Sequence, residues 1–185
     1  MDIKKLFVKK RAFDYALFSA IIAVGIILDQ LTKWLAVAYL EPIWPKSVPI
    51  IDGVLQLTYA ENTGAAFSML SDAQWVFKSI SAVAIVAMLI YLYGFKGGRR
   101  LQDIALAMII SGGIGNMIDR LVLNYVIDFI DFCLIDFAIF NGADSFVCVG
   151  AGLLILSLIL DMKDEKAREK AAKTAKSNPS EGGEE

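Results

Sequence analysis

With 185 residues, 57% of them hydrophobic, and a mean hydropathy of +0.58, the chain exceeds the roughly 45–50% apolar content of soluble domains and reads as one membrane domain. Its formal charge of −2 points by itself to no nucleic-acid partner. It has no histidine, the commonest general base and metal ligand, and its two cysteines, Cys133 and Cys148, lack the number and spacing of a zinc site, so the chemistry falls on carboxylates, lysines, hydroxyls or amides and no metal or cofactor is expected.

In chain order, Lys4, Lys5, Lys9, Lys10 and Arg11 precede a first apolar run over about 15–35. The run is long and ends in no small-residue cleavage site, so it reads as a retained span and not as a removed signal peptide. Its last turns carry Asp29, Gln30, Thr32 and Lys33. Asp29, Thr32 and Lys33 share one helical face, and a self-satisfied Asp29–Lys33 pair is the plain reading. Residues 48–60 hold two β-prone stretches around the turn signal Asp52-Gly53, which predicts a small hairpin at the membrane surface. Glu61-Asn-Thr-Gly-Ala-Ala-Phe-Ser68 follows; its small residues permit close backbone approach.

A second span is predicted over 75–95 and a third over 101–121, with Lys96, Arg99 and Arg100 between them. The third ends in Asn116, Asp119 and Arg120, again at helical spacing, after Gly112-Gly113-Ile114-Gly115. An Asp119–Arg120 structural pair is the plain reading there. Residues 125–140 are too polar to span and too apolar to float free, and are expected to lie in the interface with Asp128, Asp131 and Asp136 available. Asn141 and Asp144 flank the start of a fourth span over 145–160; taken alone, Asp144 reads as an N-cap. Residues 163–185 form a polar tail, first helical and then disordered, outside a membrane domain of residues 1–162. Each span approaches the roughly 20 apolar residues a bilayer requires.

Fourteen of the eighteen basic residues fall before span one, between spans two and three, or after span four. The positive-inside rule then places both termini in the cytoplasm and segments 41–74 and 122–143 outside. By that topology Asp29, Asn62, Asn116, Asp119, Arg120, Asp128, Asn141 and Asp144 all lie toward the outer face. A carboxylate at bilayer depth is disfavoured by about 2.5–3.5 kcal/mol, and one shared polar site explains why so many gather in one leaflet.

The ordered segments Asp29-x-x-Thr-Lys33, Glu61-Asn-Thr-Gly-Ala-Ala-Phe67, Gly115-Asn-Met-Ile-Asp-Arg120, Val126-Ile-Asp-Phe129 and Phe140-Asn-Gly-Ala-Asp144 resemble those of lipoprotein signal peptidases (signal peptidase II). No single motif is decisive; five in order are specific. The resemblance covers about Asp29–Leu160 and implies an all-α polytopic membrane protein: four transmembrane helices with a small outward-facing β segment and an interfacial segment. It implies a bacterial inner-membrane aspartic endopeptidase that cuts prolipoproteins before a diacylglyceryl-modified cysteine, with membrane lipid around it and no obligate protein partner. By motif match, Asp128 and Asp144 are the implied catalytic pair. Asp29, Lys33, Asn62, Gly64, Asn116, Asp119, Arg120, Asn141 and Ala143 are implied to bind substrate or support the pair. Asp131 stands three residues from Asp128 and would share its face in a helix, which makes Asp128 the assignment most open to challenge.

Two close carboxylates share a proton and titrate as a pair, which suits hydrolysis without a metal or covalent intermediate. The competing reading is a small transporter or channel component with Asp29, Lys33, Asp119 and Arg120 along an ion path. It predicts polar residues spread over both leaflets.

Overall fold

The computed structural model of the chain describes residues 12–64, 74–95, 99–135 and 137–177. The basic cluster Lys4–Arg11, the stretch Ala65–Ser68, Lys96, Asp136 and the end of the tail lie outside the described residues. Four helices and three strands follow in the order α1 (Ala12–Tyr39), β1 (Ser47–Ile51), β2 (Leu55–Asn62), α2 (Gln74–Gly94), α3 (Arg100–Val122), β3 (Val126–Asp131) and α4 (Gly142–Ser177).

Among the described residues three helices, α1, α3 and α4, are long and apolar enough to cross a membrane, and α2 contributes the apolar stretch Lys78–Gly94. Three of the four expected spans are thus candidate spans by length and composition, and the fourth expected helix is present as α2. The helices overrun the sequence-based limits because apolar composition marks where lipid begins, whereas backbone hydrogen bonding continues until a turn stops it. Helix α4 runs past the apolar stretch into the Lys- and Glu-rich tail.

Helix α3 is the centre, with α1, α2 and α4 packed against it. Phe18, Ile85, Leu92, Ala107, Ile110 and Met117 form the main apolar core. Stacking of Tyr15 on Tyr93 and a 2.7 Å hydrogen bond between Ser19 and Tyr93 join α1 to α2. Glycines let α3 and α4 approach. A Cβ on Gly112 would collide with the carbonyl of Ala143, and one on Gly150 would come within 2.9 Å of the carbonyl of Ala105.

The fold is mostly helical and carries the small β segment that was expected. The three strands form one antiparallel sheet in the order β1-β2-β3. The expected hairpin is β1–β2, turning at Gly53 with φ +69°, a conformation glycine adopts without steric penalty. The segment expected to lie in the interface instead begins with β3. Its Val-Ile-Asp-Phe-Ile-Asp sequence is rich in β-branched and aromatic residues that suit a strand, and it completes a sheet edge that β2 leaves open. Beyond it, Phe140 bridges to Ile130: its carbonyl accepts from the amides of Phe129 (3.0 Å) and Ile130 (2.8 Å), and its own amide donates back to Ile130 (3.1 Å). That bridge brings Asn141 and the start of α4 beside β3. On the other face, Tyr59 and Ile127 pack against Ala36 and Leu40 at the end of α1.

Candidate active site

Five segments converge where the C-terminal ends of α1 and α3 and the N-terminal end of α4 meet the sheet. Strand geometry separates Asp128 from Asp131. Three residues apart on a strand, they point to opposite faces. Asp128 is 2% exposed and turned inward. Asp131 points away and accepts hydrogen bonds from Gln56 (2.7 Å) and Thr58 (3.0 Å). Asp128 accepts from Asn62 Nδ2 (2.9 Å) on β2 and from Asn141 Nδ2 (2.7 Å). Gly64, at φ +81°, donates its amide to Asn62 Oδ1 (2.8 Å) and so fixes which way Asn62 presents its NH2 group.

Asp144 is not the N-cap of α4; Asn141 is. The Asn141 Oδ1 accepts from the Asp144 amide (3.0 Å), and Asp144 Oδ2 accepts from the Asn141 amide (3.2 Å). This is a reciprocal capping box built from amide and carboxylate. The other oxygen of Asp144 accepts from Asn116 Nδ2 (2.8 Å) on α3. Asn141 therefore contacts both aspartates, and it is fully buried.

Beneath the pair lies a second layer. Lys33 Nζ is 2.9 Å from each of Asp29 Oδ2, Asp119 Oδ2 and Asn116 Oδ1, so all three of its protons are used. The Asp29–Lys33 pair foreseen from the helical spacing is present, but it is part of a larger cluster. The expected Asp119–Arg120 pair is absent, because adjacent helical residues diverge by about 100°; Asp119 turns inward to Lys33, while Arg120 Nη1 donates to the carbonyl of Asn116 (3.4 Å). The two carboxylates also grip backbone. Asp29 Oδ1 accepts from the Ala143 amide (2.9 Å), next to Asp144, and Asp119 Oδ2 accepts from the Ile127 amide (3.2 Å), next to Asp128. One lysine thus ties together the supports of both upper aspartates.

Gln30 belongs to this layer and was not among the expected site residues. Its Nε2 lies 3.2 Å from Asp29 Oδ2, 3.0 Å from Asp119 Oδ1 and 3.2 Å from the carbonyl of Gly115. The only sequence signal for it is an uncharged polar side chain deep in an apolar helix. Among the described residues no group of three or more His, Cys, Asp or Glu could hold a metal ion.

Burial pushes the Asp128 carboxyl up to about 6, and the charge of Asp144 pushes the same way; the hydrogen bonds from Asn62 and Asn141 and the charge of Lys33 oppose them. The arrangement supplies two carboxyl groups from separate elements, joined through Asn141, one of which holds its proton to about pH 6.

A family model described as signal peptidase (SPase) II matches residues 21–160. The lipoprotein signal peptidase of Shouchella clausii is 46% identical over 148 residues, covering 79% of this chain and 95% of the relative. That of Brevibacillus brevis is 41% identical over 146 residues, covering 79% and 97%. A bacterial membrane enzyme whose structure was determined by the in meso method at 1.9 Å is 31% identical and superposes with a TM-score of 0.70 over 77% of this chain and 92% of the other. The match spans α1 to α4 and takes in the whole polar cluster, and the chain belongs to the signal peptidase II family.

Proposed function

We propose that Asp128 and Asp144 are the catalytic dyad of this membrane aspartic endopeptidase, which removes the signal peptide from prolipoproteins by hydrolysis before a diacylglyceryl-modified cysteine. The observation that carries the assignment is the link through Asn141: one side chain contacts a buried carboxyl on β3 and caps the helix that presents the second.

The roles follow from the surroundings. Asp144 sits in the first turn of α4, where the helix N-terminus favours negative charge, and acts first as the base. Asp128, whose buried carboxyl holds its proton to about pH 6, acts as the acid. The ionised Asp144 takes a proton from water as its oxygen attacks the scissile carbonyl, while Asp128 donates its proton to the carbonyl oxygen. The tetrahedral intermediate then collapses: the C–N bond breaks, the proton on Asp144 passes to the leaving amine, and Asp128 recovers its own. Asn62, Gly64, Asn116 and Asn141 orient the carboxyls. Asp29, Lys33, Asp119 and Ala143 hold the flanking backbone. Arg120, half-buried at the rim, binds substrate.

The same reading makes α2 the fourth span, both termini cytoplasmic, the site near the outer face of the bacterial inner membrane, and residues 1–162 the peptidase domain. The test offers purified protein both lipidated and unlipidated prolipoprotein. Cleavage before the cysteine of the lipidated form alone is expected. Asp128→Asn and Asp144→Asn each lower the rate by at least about 10²–10⁴-fold while the protein stays inserted; full activity in either variant overturns the dyad.

A further inference from the structure

The family match ends at residue 160, yet α4 continues to Ser177. A bilayer takes up about 20 helical residues, so a 36-residue helix starting at Gly142 leaves a stub of about 15 residues, on the order of 22 Å long. Lys163, Lys166, Lys170 and Lys173 are all exposed on this stub. Their spacing puts them within an arc of about 80° at about 100° per residue.

The opposite side of the helix is fixed to the bundle. Arg99, at the start of α3, donates from Nε to Asp161 Oδ1 (2.6 Å), from Nη2 to the carbonyl of Leu160 (3.2 Å) and from Nη2 to Asp164. Asp161 and Asp164 lie about 140–160° around the helix from the centre of the lysine arc. The clamp therefore sets the azimuth of the stub and aims the lysine stripe away from α3, over the lipid that surrounds the protein. Glu165 and Glu169 lie on the flank between. Topology requires positive charge near the helix end but does not require it on one face.

We propose that this stripe is a docking surface for anionic phospholipid headgroups in the leaflet from which the stub emerges, an inference that rests on reading the chain as membrane-spanning. Charge complementarity names the occupant. The nearest surface to an outward-facing stripe at a bilayer exit is the headgroup layer. Attraction to it decays over a Debye length of about 8 Å, so Lys163 and Lys166 contribute most and the outer lysines extend the stripe.

The test uses the full chain in nanodiscs, which expose both leaflets and so make the outcome independent of orientation. Amide hydrogen exchange over 163–173 is compared in phosphatidylcholine and in an equal mixture with phosphatidylglycerol. Exchange slows at least about fivefold in the anionic discs, and high salt reverses the effect. A variant with Lys166→Ala, Ala167→Lys, Lys170→Ala and Ala172→Lys keeps net charge and composition but scatters the lysines over well more than half of the helix circumference, and it shows no lipid-dependent slowing. No slowing in the native chain, or equal slowing in the variant, overturns the proposal; so does slowing by an RNA oligonucleotide without slowing by anionic lipid. Both proteins cleave lipidated substrate equally, so loss of cleavage would count against the peptidase reading and not against this one.

Discussion

Asp128 is held between opposing influences. Burial and Asp144 favour its protonated form; Asn62, Asn141 and Lys33 favour the ionised one. The net result, about 6 against an ordinary 3.8, is a carboxyl that keeps its proton well above the usual range. The dyad works with one proton, so in the free enzyme the active form is lost as pH rises through about 6, and kcat/KM for a lipidated peptide falls on an alkaline limb centred there. The same sign applies to stability: the contribution of Asp128 is fully present below 3.8 and is lost as pH rises through 6. Asn62→Ala removes a hydrogen bond that favours the charged form, so it moves the limb to higher pH. Profiles measured from pH 4 to 9 check this; no limb in that range, or an acidic shift in the variant, refutes it. Sequence reasoning reached Asp128 by motif order. It could not separate Asp128 from Asp131 by geometry, because the choice depends on whether the segment is strand or helix.

The elements were legible to the extent that their signals were local. Apolar length located the four helices, and Asp52-Gly53 located the β1–β2 turn. Strand β3 was read as an interfacial segment although Val126–Asp131 is rich in β-forming residues, because its partner β2 lies more than 60 residues earlier in the chain and no local signal announces such pairing. The α3–α4 contact is another long-range feature, and Gly112 is its sensitive point: a Cβ there meets the backbone carbonyl of Ala143, which cannot swing aside as a side chain can. Gly112→Ala should push the start of α4 outward, lengthening the Asn116–Asp144 hydrogen bond and the Asp29–Ala143 contact together. Overpacking of this kind costs about 1–3 kcal/mol, and cleavage falls by more than the loss of folded protein explains. Gly152 has open space around its would-be Cβ, so Gly152→Ala leaves both thermal stability and rate unchanged. Equal behaviour of the two variants in a melting and turnover comparison would refute the claim.

Across the whole molecule, the site is complete only when every outward element is in place. Asn62 comes from β2, Asp128 from β3, Asn116 from α3, Asp144 from α4, and Lys33 from α1. The sequence shows these residues as separate polar islands; it does not show that Lys33 reaches Asn116, 83 positions away. A site assembled this way is confined to one membrane face, and the proposed topology, with both termini cytoplasmic, makes that the outer one. With both termini cytoplasmic, the turn after β3 faces outward and carries Cys133, which is exposed. Cys148 sits six residues into α4 and is exposed, and the proposed topology places it within the span. A membrane-impermeant maleimide added to intact spheroplasts should therefore modify the protein, and Cys133→Ser should abolish that labelling while Cys148→Ser leaves it unchanged. Labelling of Cys133 that required permeabilised cells would invert the topology and move the dyad to the cytoplasmic face, where prolipoproteins already translocated across the membrane could not reach it.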